Sequence, residues 1–151
     1  MVFLGRPSQR RSPATVGLVI SPEQSQYLAD HRWALLATTR ADGTPQVSML
    51  AYHWDGVDLV FSLRSTAAKW ANVARQPGVV VTVPDDARYL SVVGPAERIA
   101  ADPERHDLTV RLRDSLLPAH YDSLQADVDA GLDARWRVVI RVRPTGAVGR
   151  I

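Results

Sequence analysis

Two Asp-Gly pairs, Asp42-Gly43 and Asp55-Gly56, divide the stretch from Trp33 to Leu63 into three apolar runs of strand length. An Asp-Gly turn takes up the left-handed backbone that a tight hairpin requires, and so short a connection can join only antiparallel neighbours. Trp33 to Thr39, Gln46 to Trp54 and Asp58 to Leu63 are therefore read as a meander. In the third run Leu59, Phe61 and Leu63 share one face, with Val60 and Ser62 on the other. A parallel sheet, whose strands need long helical crossovers, is disfavoured by these turns alone.

The remaining segments extend the same plan. Ser21-Pro22-Glu23 reads as a helix start, with serine as cap, proline in the first turn and an acid at the positive end, and the helix is expected to run to about Asp30. Ser65 or Thr66 is expected to cap a second helix through Gln76. Its apolar side is Ala67, Trp70, Val73 and Ala74; Lys69, Asn72 and Arg75 or Gln76 lie opposite. After Pro77-Gly78 come a fourth strand, Val79 to Val83, and a fifth, Arg88 to Ile99, with a bulge or bend at Gly94-Pro95. Asp102-Pro103-Glu104 repeats the capping pattern before a helix with Leu108, Leu112 and Leu116 on one face, stopped by Pro118; Leu124, Val128 and Leu132 mark another. In the last strand Trp136, Val138, Ile140 and Val142 alternate with Arg137, Arg141 and Arg143, which predicts one inward and one solvent face. About six strands with inserted helices make a mainly β, α+β chain, an antiparallel barrel or sandwich. Residues 1–20 read as a basic, proline-containing arm without a role, and 21–151 as a single domain.

Composition limits the chemistry. At 151 residues the chain buries about 68–70% of its unfolded surface on folding, enough for a core. It has no cysteine, which removes disulfides, thiolate nucleophiles and Cys-ligated metals. A formal charge of +2 is no footprint of nucleic-acid or anionic-membrane binding. With no span of about 20 apolar residues and no apolar signal core at the N-terminus, no membrane partner is expected and the cytoplasm is the expected compartment. The four histidines, at 31, 53, 106 and 120, show no metal-ligand spacing, so no metal is expected. Nucleophile-elbow, Walker and Gly-x-Gly-x-x-Gly patterns are absent, and Asp85-Asp86 falls in a turn.

One segment stands apart. Phe61 to Lys69 is a strand running into a hydroxyl-rich helix start, where free backbone N–H groups, the helix dipole and the ammonium of Lys69 would suit a phosphate. An ordinary capped helix with one exposed lysine fits the same residues. Lys69 is the only lysine among 18 basic residues; the other 17 are arginine.

Leu36 to Ser48, Ser62 to Lys69, Asn72 to Pro77 and Tyr89 to Ala96, in this order and spacing, resemble the pyridoxamine 5′-phosphate oxidase-like split β-barrel superfamily, FMN-binding-protein-like in fold. The likeness is nearest to its actinobacterial deazaflavin branch, the coenzyme F-420 oxidoreductases. It covers about residues 22–100. The resemblance implies that Lys69 contacts the cofactor phosphate, that Ser62, Leu63, Arg64 and Ser65 line the approach, and that Gln46, Val47 and Ser48 belong to the strand along the ring. It also implies a homodimer with cofactor sites at the subunit interface, where Arg88 and Tyr89 reach the partner's cofactor. Relatives often carry a second basic residue where this chain has Ala67, so Arg64 or Arg75 would compensate. The implied chemistry is hydride transfer from reduced F-420 to a small conjugated molecule. FMN in the same fold, or a non-catalytic flavin or deazaflavin carrier or a haem-binding relative with His53 as axial ligand, are the alternatives. Tyr52, His53, Tyr89 and Trp70 are secondary candidates for the substrate side or for proton delivery, with core packing as their simpler explanation.

Overall fold

The computed structural model describes residues 18–116 and 122–151, without the side chains of 122–125. The expectations for residues 1–17, for His120 and for the stop at Pro118 lie outside the described residues. In chain order the elements are α1 (Pro22–Asp30), β1 (Trp33–Thr39), β2 (Pro45–Ala51), β3 (His53–Trp54), β4 (Leu59–Arg64), α2 (Ala68–Arg75), β5 (Gly78–Asp85), β6 (Arg88–Ile99), α3 (Glu104–Leu116), α4 (Asp122–Asp133), β7 (Arg137–Val142) and β8 (Gly146–Arg150).

Every strand pairing is antiparallel. The hydrogen-bonded path runs β2-β1-β5-β6-β7-β4-β3, with β8 on β6. Its two ends, β2 and β3, are consecutive in the chain with only Tyr52 between them. The sheet must therefore curl until its edges meet, which gives a split barrel. Inside are Leu36, Leu59, Phe61, Leu63, Val81, Val83, Leu90, Val92, Ile140 and Val142.

The predicted turns are present for the reasons anticipated. Gly43 and Gly56 have φ of 85° and 93°, which only glycine adopts at little cost. The Asp42 carboxylate accepts from the Thr44 N–H and hydroxyl, and that of Asp55 from the N–H groups of Val57 and Asp58. Ser21 caps α1, and Gln24 returns a bond to the Ser21 N–H to complete a capping box. Asp102 instead grips the Arg105 guanidinium. At Gly94-Pro95, β6 passes from β5 and β8 to β7. A Cβ on Gly94 would lie 1.9 Å from the Arg143 carbonyl oxygen, so the crossing of backbones there demands glycine.

Four further expectations are corrected. Among the described residues there are eight strands, because Tyr52 divides the predicted second strand and because β8, with Gly146 and Gly149, carries too weak a strand pattern to be read. Neither Ser65 nor Thr66 caps α2; its N-cap is Ala67, with no side-chain bond, and Lys69 is the second helical residue. On α2, Asn72 is buried and Ala74 exposed, the reverse of the predicted sides. Strand β7 has no solvent face along most of its length: Arg137 and Val139 are buried because α3 and α4 cover that side, where Val60, Ile99, Leu108 and Val139 form a second apolar cluster.

Candidate functional site

Strands β2 and β4 approach each other at the split without pairing. The gap holds a pocket of about 300 Å³, lined by Met49, Leu50 and Ala51 of β2, Ser62, Leu63 and Arg64 of β4, Ala67 and Lys69 at the start of α2, Trp33, Leu112 of α3, Val128 of α4 and Arg137 of β7. Apolar side chains thus make the walls, while the charged groups gather at the β4–α2 end.

The polar groups have unused bonding capacity. The Ser62 hydroxyl and the Nε of Arg137 are buried without a hydrogen-bond partner among the described residues. Lys69 forms no ion pair or hydrogen bond among the described residues, and burial pushes its ammonium below the usual lysine range. An unsatisfied buried donor costs about 1–3 kcal/mol, and the residues that carry these two share one pocket wall with Lys69. Asp127 of α4 offsets part of the charge by bridging Arg64, at 2.5 Å, and Arg137. Asp127 thus offsets the two arginines and leaves Lys69 without a counter-ion among the described residues.

Arg137 was not among the sequence candidates, since it reads as one of three alternating solvent-face arginines. Its burial depends on Gly131, where a Cβ would lie 2.2 Å from the Arg137 Cγ. Its Nη1 donates to the Ser62 carbonyl at 3.0 Å, which holds the guanidinium against β4. Trp136 stacks under Arg64, 4.6 Å from the ring centroid.

Of the predicted site residues, Ser62, Leu63, Arg64 and Lys69 meet in this pocket. Ser65 is exposed on the β4–α2 turn, where its N–H donates to the Trp136 carbonyl. Gln46 and Ser48 share the inner face of β2 with Leu50, and Val47 projects outward, 58% exposed. Gln46 accepts from Asn72 Nδ2 at 2.8 Å, and Arg75 donates to Asn72 Oδ1 at 2.6 Å. Arg88 and Tyr89 lie at the β5–β6 turn, outside the pocket; Arg88 pairs with Asp85, which also faces His31.

The secondary candidates divide. Tyr52 is fully buried, donates its hydroxyl to the Leu28 carbonyl at 2.7 Å, and is pushed above the usual tyrosine range by burial, so it belongs to the core. Trp70 is partly buried beneath Arg98. His53 lies on β3 outside the pocket lining, with its pKa lowered by burial. Among the described residues no three His, Asp or Glu side chains gather as a metal site, and no helix is long and apolar enough to cross a membrane.

Comparison with known proteins agrees with this architecture. Residues 20–148 match the family model described as pyridoxamine 5′-phosphate oxidase. Among solved structures, one titled as an F-420 reductase is 31% identical, with a TM-score of 0.64 over 85% of this chain and 98% of its own. The conserved hypothetical protein Rv2991 from Mycobacterium tuberculosis is 23% identical, with a TM-score of 0.72 over 87% of this chain and 85% of its own. The haem storage protein HutZ from Vibrio cholerae, 17% identical, has a TM-score of 0.65 over 88% and 96%. No curated protein matches the chain.

Proposed function

The chain belongs to the pyridoxamine 5′-phosphate oxidase family, and from that premise we propose that it is an oxidoreductase that uses the deazaflavin coenzyme F-420 to reduce a small conjugated organic molecule. The observation that carries this reading is the set of donors without partners, Ser62 Oγ, Arg137 Nε and Lys69, in one pocket at the split. A phosphate suits them, and the 31% identity with an F-420 reductase favours the deazaflavin among phosphate-bearing cofactors.

When bound, the deazaflavin supplies a hydride. The protein's own part is to hold and orient it. Lys69, Arg64 and Arg137 neutralise the phosphate; Ser62 donates to one of its oxygens. Gln46 and Ser48 extend from the pocket along the inner face of β2, where the ring is proposed to lie. Leu112 and Val128 roof the pocket and exclude water. The hydride transfer itself requires no acid–base pair of the side chains, in keeping with the lack of a catalytic motif in the sequence, and the proton that completes the reduction comes from solvent.

At about 300 Å³ the pocket is at the small end of ligand sites. It suits the phosphate end of such a cofactor, so the rest must lie against other surfaces. A homodimer would supply them. Val47, Val80 and Val93 occupy one cross-strand row on the outer face of the sheet, with Met49 and Val148 in the next, and all five are exposed. Tyr89 stands on the same face, within reach of a partner's site in the proposed dimer. A second copy covering this face is the proposed assembly.

The test is titration of the protein with F-420 and with FMN, followed by fluorescence or calorimetry. F-420 should bind at least tenfold tighter. Equal or preferred FMN binding would replace the deazaflavin with the flavin, and haem binding that depends on His53 would replace both. Mixing the reduced complex with candidate substrates then separates an enzyme, which reoxidises, from a carrier, which does not.

A further inference from the structure

Asn72 is buried, 3% exposed, in the middle of α2, and every polar atom of its carboxamide is engaged. Its Oδ1 lies 2.6 Å from Arg75 Nη2; its Nδ2 lies 3.1 Å from Thr38 Oγ1 and 2.8 Å from Gln46 Oε1. Thr38 and Gln46 are themselves directly opposite across β1 and β2. The two ends of an amide are often hard to tell apart, but an arginine offers donors only. The atom of Asn72 that faces Arg75 must therefore be the oxygen. Its nitrogen must then face Thr38 and Gln46, and the Gln46 atom that meets it must be the carbonyl oxygen. This leaves the Gln46 NH₂ as the free end of the chain, without a partner among the described residues.

We propose that Arg75, Asn72 and Gln46 form a polarised donor relay that fixes the Gln46 amide with its N–H outward, so that the site selects a ligand ring that presents a hydrogen-bond acceptor there. Arg75 and Asn72 act through Gln46 and are positioning residues. Each bond points the same way, from the guanidinium through two amides to the ligand, and bonds aligned in this manner polarise one another. The relay places partial positive charge against a ring carbonyl or an unprotonated ring nitrogen, and a ring that offers an N–H at that point meets another donor. It also explains why a buried asparagine sits on a helix side that packs against β1 and reaches Gln46 of β2: no apolar residue there could set the orientation of Gln46.

This proposal rests on the cofactor reading above, and its test separates the two. The probe is the phosphate-free deazaflavin chromophore with its ribityl chain, whose binding does not report Arg75 through a phosphate charge. Arg75 is exposed, so its substitution leaves the fold intact, as thermal melts check. Arg75→Lys keeps a donor-only group and should bind the chromophore within about twofold of wild type, with an unchanged shift of its absorption band. Arg75→Glu presents an acceptor to Asn72, which turns its amide over and with it that of Gln46. Affinity should fall about tenfold, the scale of one hydrogen bond, with loss of the band shift. Gln46→Glu, which removes the outward donor directly, should do the same, and the double variant should be no weaker than either single one. Wild-type affinity and spectrum in Arg75→Glu, or additive losses in the double variant, would overturn the relay alone. Failure of the wild-type protein to bind any flavin or deazaflavin would overturn the cofactor reading and the relay's ligand with it.

Discussion

Lys69 lies half-buried in the pocket wall with no counter-ion among the described residues, and desolvation already weakens its hold on the proton. An anion that enters the pocket relieves that penalty. Lys69→Ala should weaken cofactor binding by about 1–3 kcal/mol, the worth of a charge-assisted bond, with little change in the melting temperature. The sign of the pH effect follows from the direction of the shift. The ammonium is the binding form, and its pKa is depressed, so affinity should fall with rising pH before an ordinary lysine would titrate; Lys69→Arg, charged throughout, should hold its affinity over that range. A titration series from pH 7 to 10 checks it, and a flat profile in the wild type would remove the lysine from the site. Lys69 was legible in the sequence because it is the only lysine and follows a strand. Arg137 was not, because burial of an arginine in an alternating strand depends on the two helices above it and on the absence of a Cβ at Gly131, which no local pattern records. Asn72 was placed on the wrong side of α2 for a related reason: helical periodicity gives a polar residue to solvent unless a buried partner, here Thr38, is known.

The α3 and α4 elements cover the pocket, and charge fastens them. Asp127 bridges Arg64 and Arg137 from α4, and Arg113 of α3 reaches Asp129 of α4 at 2.8 Å. Burial pulls the Asp127 carboxyl upward, and the hydrogen bonds and charges of the two arginines outweigh it, so its pKa ends below the usual carboxylate value. A carboxyl depressed in the folded state stabilises it above the unfolded value, about 3.9, and loses that contribution as the pH falls through the folded one. Acidification below about pH 4 should thus release α4 before the barrel. Amide hydrogen exchange should show α4 losing protection while β5 and β6 keep theirs, and Asp127→Asn should show the same difference at neutral pH. Simultaneous loss in all three would mean that apolar packing, not the ion pairs, holds the cover. At this scale the sequence was informative where local rules decide the outcome. The hairpins follow from Asp-Gly turns, α1 from its serine cap and α3 from its leucine face. It was silent on β8, where Gly149 lets the backbone lie close against β6: a Cβ there would lie 2.1 Å from the Tyr89 carbonyl oxygen.

The whole barrel presents an outer sheet face whose valines and methionine are exposed. In the proposed dimer they are the contact surface, and Val80 and Val93, directly paired across β5 and β6, lie within it. Val93→Arg should cost a lone chain no more than about 0.5 kcal/mol, as surface changes do. It should convert the dimer to monomers in sedimentation and weaken cofactor binding at least tenfold. A wild-type protein that sediments as a monomer would sink the assembly. Tyr52, which joins the two ends of the hydrogen-bonded path, gives the barrel an uneven tolerance to changes in length. A residue added at the exposed turn around Asp42 lengthens a loop and leaves both flanking strands in register. One added between Ala51 and His53 reverses which side chains β3 and β4 turn inward relative to β2, since strand faces alternate with a period of two. Evolution or an engineer can lengthen this protein at its hairpin tips, but at position 52 the chain has to be counted to the residue.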